Sequence, residues 1–119
     1  MDRSKAFGEL LRQLRKQAGR SMAEVAEHLE FSVPYVSDVE RGKRAPLAHD
    51  RIVAVASFLN VDTAPLLAKA AVSRGAFELD ASGKMSSLKE KVGAALMRGW
   101  PDLTEEQLRT IDQVLEGDD

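Results

Sequence analysis

The sequence predicts an all-α protein in which a five-helix domain is followed by a linker and a C-terminal two-helix unit. Apolar residues recur at spacings of three and four along most of the 119 residues, which is the period of amphipathic helices. Serine, threonine or aspartate precedes most of these segments, and glycine or asparagine follows many of them, as at the two ends of helices. The same punctuation divides the chain into residues 1–72, 73–85 and 86–119.

The composition argues against several classes of function. The chain is 44% apolar and 30% charged, as folded proteins are, and it has no cysteine. Disulfides, thiolate zinc sites and cysteine nucleophiles are therefore excluded, and two histidines are too few for most metal or acid–base sites. No apolar run approaches the roughly 18 residues of a membrane span, and the charged N-terminal residues lack the apolar core of a secretion signal. We therefore expect a cytoplasmic protein with no membrane partner and no cofactor.

The first two helices are predicted by their apolar faces. The face of the first helix consists of Ala6, Phe7, Leu10, Leu11, Leu14 and Ala18, and Gly19 is a suitable stop. Ser21 and Glu24 have the spacing of a capping box at the start of the second helix, which should end near Leu29.

The third, fourth and fifth helices follow after short connections. Ser32 can cap the third helix, Pro34 fits its first turn, and Gly42 ends it. Only three residues separate this helix from the second, so the two must cross at a large angle. The fourth helix is predicted at roughly residues 48–59, ended by Asn60, and the fifth begins at Asp62 or Thr63.

The last third of the chain changes character. Residues 73–87 are rich in serine and glycine, and the weak alternation over residues 76–80 allows a short strand, although we interpret the stretch as a linker. A helix then ends near Gly99, Trp100 and Pro101 form a corner, and Thr104 and Gln107 match a second capping box. This helical pair is too small to bury a stable core by itself, so it must dock on the first unit, on a second copy of itself or on a partner.

The run AFGELLRQLRKQAGRSMAEVAEHLEFSVPYVSDVERGKRAP resembles the Cro/repressor-type helix-turn-helix proteins, the lambda-repressor-like or Xre family. The strongest segment is SVPYVSDVERG at residues 32–42, and the resemblance extends through LNVDTAPLL to cover roughly residues 5–72. It implies sequence-specific binding of double-stranded DNA, with the third helix in the major groove and two copies of the chain on one site.

The resemblance also implies roles for individual residues. Outward positions near the bases are held by Val33, Pro34, Ser37, Asp38 and Arg41. Phosphate contacts are expected from Ser32, Tyr35, Lys43 and Arg44, although Tyr35 is as consistent with an ordinary half-buried side chain. Arg15 and Glu40 occupy the positions of a structural ion pair in the family, and the alternative for Arg15 is a phosphate contact.

Several positions depart from the family pattern and put the base preference in doubt. Many relatives carry glutamine where Met22 stands, and glutamine, arginine or lysine where Val33 and Asp38 stand. Val33 can offer only an apolar contact, such as one to a thymine methyl, whereas Asp38 can accept from cytosine or orient Arg41. Glycine is common where Glu30 stands, so Glu30 must adopt a strained backbone conformation or the turn must differ.

Charge and apolar patterning separate the roles of the two halves. Residues 1–51 carry ten basic and eight acidic residues, and residues 52–119 carry seven and eleven. Chance alone explains this asymmetry equally well, but the net negative charge of the second half favours DNA contact by the first half only. The predicted function is a homodimeric transcriptional repressor, and the C-terminal residues expected at the dimer or partner contact are Leu96, Trp100, Leu108, Ile111 and Leu115. The alternative is an antitoxin or a protease-controlled repressor, whose linker or C-terminal unit binds a toxin or peptidase.

An enzyme is not expected. Glu105 and Glu106 resemble a catalytic carboxylate pair, but acidic residues in a first helical turn are usually explained by the helix dipole. The sequence contains no Ser/His/Asp arrangement, phosphate-binding loop or nucleotide-binding fingerprint.

Overall fold

The computed structural model describes residues 2–79 and 81–117. The chain divides into two compact units, Met1–Glu78 and Leu79–Asp119. The first unit contains α1 (Ala6–Gln17), α2 (Met22–Leu29), α3 (Val33–Glu40), α4 (His49–Leu59) and α5 (Thr63–Arg74). The second contains α6 (Ser87–Gly99) and α7 (Glu105–Glu116). Short 3-10 turns precede α1 and follow α6. The described residues contain no strand, so the predicted all-α fold is confirmed.

The predicted capping boxes are present at both sites. The Glu24 amide donates to Ser21 Oγ at 3.0 Å, and the Ser21 amide donates to Glu24 Oε1 at 2.9 Å. Thr104 and Gln107 make the same reciprocal pair at the start of α7. Because each box satisfies amide groups that have no partner within the helix, these residues fix where α2 and α7 begin.

The core of the first unit joins all five of its helices. Its largest fully buried side chains are Phe7, Leu11, Val25, Leu29, Val39, Ile52, Val55 and Leu66. Each such side chain contributes about 1.5–3 kcal/mol by leaving water. Val36 and Val39 supply the buried face of α3, which fixes the orientation of that helix and leaves its opposite face in solvent.

Gly8 sets the distance between α1 and α3. A Cβ atom at this position would collide with the backbone carbonyl groups of Val39 and Glu40. Only glycine therefore allows α1 to pack directly on the C-terminal turn of α3, and this packing offsets the cost of glycine inside a helix.

The end of the first unit differs in detail from the sequence-based boundary. Helix α5 continues to Arg74, where Gly75 closes it in the left-handed conformation at φ 84°, and the unit extends to Glu78. Residues 76–79 form no strand. Asp80, the last residue of that weak alternation, lies outside the described residues.

The second unit has no buried core in the part that the structure describes. No residue of α6 or α7 is buried. Leu96, Leu108 and Ile111 are half-buried, whereas Leu88 and Leu115 expose 70% and 78% of their surface. The two helices are therefore amphipathic elements whose apolar faces are only partly covered within the unit.

Candidate nucleic-acid interface

A tight turn positions α3 relative to α2. Glu30 adopts the left-handed conformation, with φ 62° and ψ 39°, and the Phe31 amide donates to the Ala26 carbonyl at 2.8 Å. This bond closes the end of α2 in the manner of a Schellman motif. Ser32 then caps α3 by accepting from the Tyr35 amide. Of the two outcomes open for Glu30, the strained backbone is the one observed.

The proposed base-reading residues lie on the solvent side of α3. Val33 is 44% exposed, Pro34 is exposed, and Ser37 and Asp38 are half-buried. Arg41 stands exposed at the C-terminal end of the helix. The structure therefore brings together the start of α3, its outer face and the residue that ends it, on one accessible surface.

Asp38 contacts two of the basic side chains. Its Oδ1 lies 3.3 Å from Arg41 Nη2, and its Oδ2 lies 3.5 Å from Arg44 Nε. These exposed ion pairs contribute little to stability, since solvent screens them. Their effect is orientation, because one carboxylate holds two guanidinium groups beside the outer face of α3.

Tyr35 is half-buried and packs between an aromatic and a basic side chain. Its ring centroid lies 4.6 Å from that of Phe31, and the Arg44 guanidinium carbon lies 4.8 Å from the Tyr35 ring. Both distances fall within the range of favourable ring–ring and cation–π contacts. Tyr35 thus has a structural environment, and its ring also supports one of the proposed phosphate contacts.

The loop after α3 is basic, and part of α1 extends the positive charge. Lys43 is exposed and makes no ion pair among the described residues. Lys5 and Arg12 border the same groove as Arg41 and Lys43, together with the acidic side chains of Glu9 and Glu40. Because the charge of Glu40 is neutralised by its ion pair with Arg15, this groove presents a surplus of positive charge.

Glu40 is neutralised by Arg15 in a buried ion pair. Arg15 Nε and Nη2 donate to the two carboxylate oxygens of Glu40 at 2.6 and 3.0 Å, and Nη1 donates to the Arg20 carbonyl at 2.9 Å. The hydrogen bonds to Glu40 raise the pKa of Arg15. With its guanidinium engaged on three acceptors, Arg15 braces α1 against the end of α3.

Sequence reasoning passed over Arg51 and Phe31. Arg51 Nη1 donates to the Leu29 carbonyl at 3.0 Å, and its guanidinium carbon lies 5.2 Å from the Phe31 ring centroid. An aromatic residue inside a three-residue turn was the one signal that pointed to Phe31. No local signal in the sequence pointed to Arg51, because its partners lie 20 or more residues away in the sequence.

The histidines form no metal site in the described residues. His28 stacks on Phe58 with ring centroids 4.4 Å apart, and no group of three potential ligands occurs in the ranges that the structure covers. None of the helices described here is long and apolar enough to cross a membrane.

Comparison with known proteins fits this geometry. A family model described as a helix-turn-helix domain matches residues 6–69, which is more than half of the chain. The chain belongs to this helix-turn-helix family. Among solved structures, that of the clp gene regulator ClgR from C. glutamicum is 29% identical with a TM-score of 0.50. The match covers 66% of this chain and 96% of that one. A search of curated proteins gave no match.

The family and the structural match identify this helix-turn-helix protein as a DNA-binding transcriptional regulator of the Cro/Xre type. The matched range contains α1 to α4 and the first part of α5, and therefore the whole α2–turn–α3 element. DNA is its partner, and the exposed face of α3 with the adjoining basic loop is the candidate contact surface.

Proposed function

We propose that this regulator is a sequence-specific repressor that binds DNA as a homodimer and acts by binding, without catalysis. The supporting observation is the arrangement of α3. Val36 and Val39 anchor one face in the core, while the opposite face is accessible and adjoins three basic side chains, Arg41, Lys43 and Arg44. A helix held in this way can enter a major groove while the flanking loop meets the phosphates.

Base contacts are assigned to the exposed side of α3. Val33 and Pro34 present apolar surface at its start, which suits a thymine methyl group, and Ser37 can bond to several base edges. Arg41 is the candidate for a guanine, because a guanidinium can donate to both acceptors of that base. Asp38 orients Arg41 in the free protein and can accept from cytosine when bound.

Phosphate contacts are assigned to the ends of α3 and to the loop that follows. Ser32 and Tyr35 lie at the helix N-terminus, where backbone amides favour an anion. Lys43 and Arg44 are exposed on the loop. These residues supply affinity rather than sequence choice, since phosphates are the same at every base pair.

A single α3 reads only about half of a typical operator. In this class two reading helices lie about 34 Å apart on one face of the duplex, so two copies of the chain are required. The second unit is the candidate dimer element, since Leu88 and Leu115 are exposed although they belong to the apolar faces of α6 and α7. Symmetric pairing is the commonest way in which soluble proteins cover such surfaces.

Selection from random duplex DNA tests this function. The expected product is an inverted repeat with half-site centres one helical turn apart, or a multiple of it. Placed across a promoter, this sequence should reduce transcription in a purified system when the protein is added. Recovery of no preferred sequence would contradict sequence-specific binding, and increased transcription would contradict repression.

Val33→Ala tests the assignment of α3 with the selected sequence. We expect preference to relax at one base pair per half-site, by about 1 kcal/mol or less, since valine offers only an apolar contact. Val53 of α4 is equally exposed, so Val53→Ala is the matched control and should leave every position unchanged. Uniform weakening at all positions would show that Val33 only packs.

The alternative, an antitoxin or protease-controlled repressor, shares the DNA-binding unit and differs in what covers the second unit. Its support is the same exposed apolar surface, together with the irregular stretch between α5 and α6. A chain that is monomeric in solution, and that becomes inactive when a peptidase or toxin encoded beside it is added, would favour this alternative.

A further inference from the structure

Four side chains form a continuous stack across the outside of the α2–turn–α3 element. Arg51 of α4 covers the ring of Phe31, Phe31 packs on Tyr35, and Arg44 covers Tyr35. The stack begins on a helix that carries no assigned DNA contact and ends at a proposed phosphate contact. Its members come from four separate parts of the first unit: α4, the turn, α3 and the loop after α3.

We propose that Arg51 is a positioning residue for the phosphate contact of Arg44, acting through Phe31 and Tyr35. This inference rests on the proposed function, because it takes Arg44 as a phosphate contact. It adds a role for a residue that no argument from the outer face of α3 would select, since Arg51 lies on another helix and is half-buried.

The end of the stack at Arg51 is fixed by a hydrogen bond to the backbone of α2. Arg51 Nη1 donates to the Leu29 carbonyl, one of the terminal carbonyl groups of α2 that have no partner within the helix. The bond ties the start of α4 to the end of α2 and leaves the planar guanidinium over Phe31. Phe31 is held from a second side by its own amide, which donates to Ala26.

At the other end of the stack, the Arg44 side chain must be held in place if it is to contact a phosphate. Arg44 is a long side chain, half in solvent, and it would lose rotamer freedom on meeting a phosphate. The Tyr35 ring and the Asp38 carboxylate already confine its guanidinium in the free protein. Confinement before binding reduces the entropy lost on binding, which is how preorganisation increases affinity.

A double-mutant cycle on DNA affinity tests the proposal with the full chain and the selected duplex. Arg51→Ala alone should weaken binding about two- to five-fold, the size of an exposed cation–π contact. Arg44→Ala should weaken it more, and the double variant should bind no more weakly than Arg44→Ala. Lys69→Ala removes a positive charge from an exposed position on α5 and is the control for net charge.

Two results of the cycle would overturn the proposal. If the effects of Arg51→Ala and Arg44→Ala multiply, Arg51 acts independently of Arg44, as a plain structural bond to α2 would. If Arg51→Ala lowers the slope of log affinity against log salt by about 0.9, Arg51 itself neutralises a phosphate. A positioning role leaves that slope unchanged, because the phosphate contact of Arg44 still forms.

A second measurement needs no DNA. Tyr35 is the only tyrosine of the chain, so a tyrosine-labelled sample gives one set of ring signals in NMR spectra. Arg51→Lys retains a donor for Leu29 but loses the planar group over Phe31, and it should shift the Tyr35 ring and the Arg44 Nε–H signals. Unchanged signals at both groups would overturn the proposal. Wild-type protein that binds no DNA would instead contradict the proposed function, leaving this spectral test intact.

Discussion

Arg15 of α1 holds Glu40, the last residue of α3, through two hydrogen bonds between buried groups. The pair lies one residue before Arg41, so it fixes the end of the helix from which the basic loop departs. Arg15 also binds the carbonyl of Arg20 and thereby closes the loop between α1 and α2. One side chain thus connects three segments around the candidate DNA surface.

Arg15→Met should destabilise the first unit by about 3–5 kcal/mol, because it leaves the buried carboxylate of Glu40 without its partner. The double variant Arg15→Met/Glu40→Leu should recover most of this loss, since neither charge is then buried alone. Chemical denaturation with urea measures the free energy of unfolding of the single and the double variant. A double variant as unstable as the single one would show that packing, and not the uncompensated charge, sets the cost.

Gly8→Ala should destabilise the protein by about 1–3 kcal/mol, since the new methyl group would meet the rigid backbone of α3. Gly93 is the matched control, as it lies within α6 with no neighbouring atom near the site of a Cβ. Gly93→Ala should be neutral or stabilising, because alanine favours helices by up to about 1 kcal/mol. Thermal unfolding of the two variants distinguishes them, and equal shifts would contradict the close approach at Gly8.

The sequence predicts helices and caps well because those signals are local. Ser21 and Glu24 determine the start of α2 within three residues of each other, and Asn60 ends α4 where its type suggests. Gly8 and Arg51 could not be assigned in this way. Their roles depend on α3 and α2 approaching from distant parts of the chain, which no local pattern encodes.

The residues of the candidate site also divide into those predicted from local sequence and those whose role depends on distant parts of the chain. The outward positions of α3 follow from helix periodicity once Val36 and Val39 are taken as buried. The pairing of Arg15 with Glu40 spans 25 residues and was implied only by resemblance to a family. The stack from Arg51 to Arg44 required the structure.

Glu30→Gly should stabilise the protein by about 1 kcal/mol. Glu30 occupies the left-handed region at φ 62°, where a side chain is unfavourable and glycine is not. Asn60 has nearly the same φ, 57°, but asparagine tolerates this conformation, so Asn60→Gly should have a smaller effect. Calorimetry measures the change in stability of both variants and checks that Glu30→Gly has the larger effect. A loss of stability in Glu30→Gly would mean that the side chain makes a compensating interaction.

Replacing the two proposed phosphate contacts Lys43 and Arg44 by alanine should weaken binding to all DNA sequences alike. The slope of log affinity against log salt should fall by about 0.9 for each phosphate that the variant no longer neutralises. The matched control replaces Lys84 and Lys89, two exposed lysines of the second unit, and should leave the slope unchanged. Binding titrations at several salt concentrations measure this slope for both variants. An unchanged slope in the first variant would place the DNA surface elsewhere.

Leu115→Asp should convert the proposed homodimer to a monomer. Leu115 belongs to the apolar face of α7 but is 78% exposed, and apolar area left in water is unfavourable by about 25 cal/mol per Å². A charge placed in a paired apolar surface would be buried without a partner, which is more costly than dissociation. Val53→Asp places the same charge on α4 and should leave the proposed homodimer intact. Sedimentation of both full-length variants gives the oligomeric state.

A chain ending at Glu78 completes this test, since residues 1–78 contain the whole core of the first unit. It should be folded and monomeric and should bind a full operator much more weakly than the intact protein, because two half-sites are then occupied independently. Single half-sites should be bound equally well by both proteins. If residues 1–78 sediment as a dimer, the subunit contact lies in the first unit, and the exposed faces of α6 and α7 are available to a different protein.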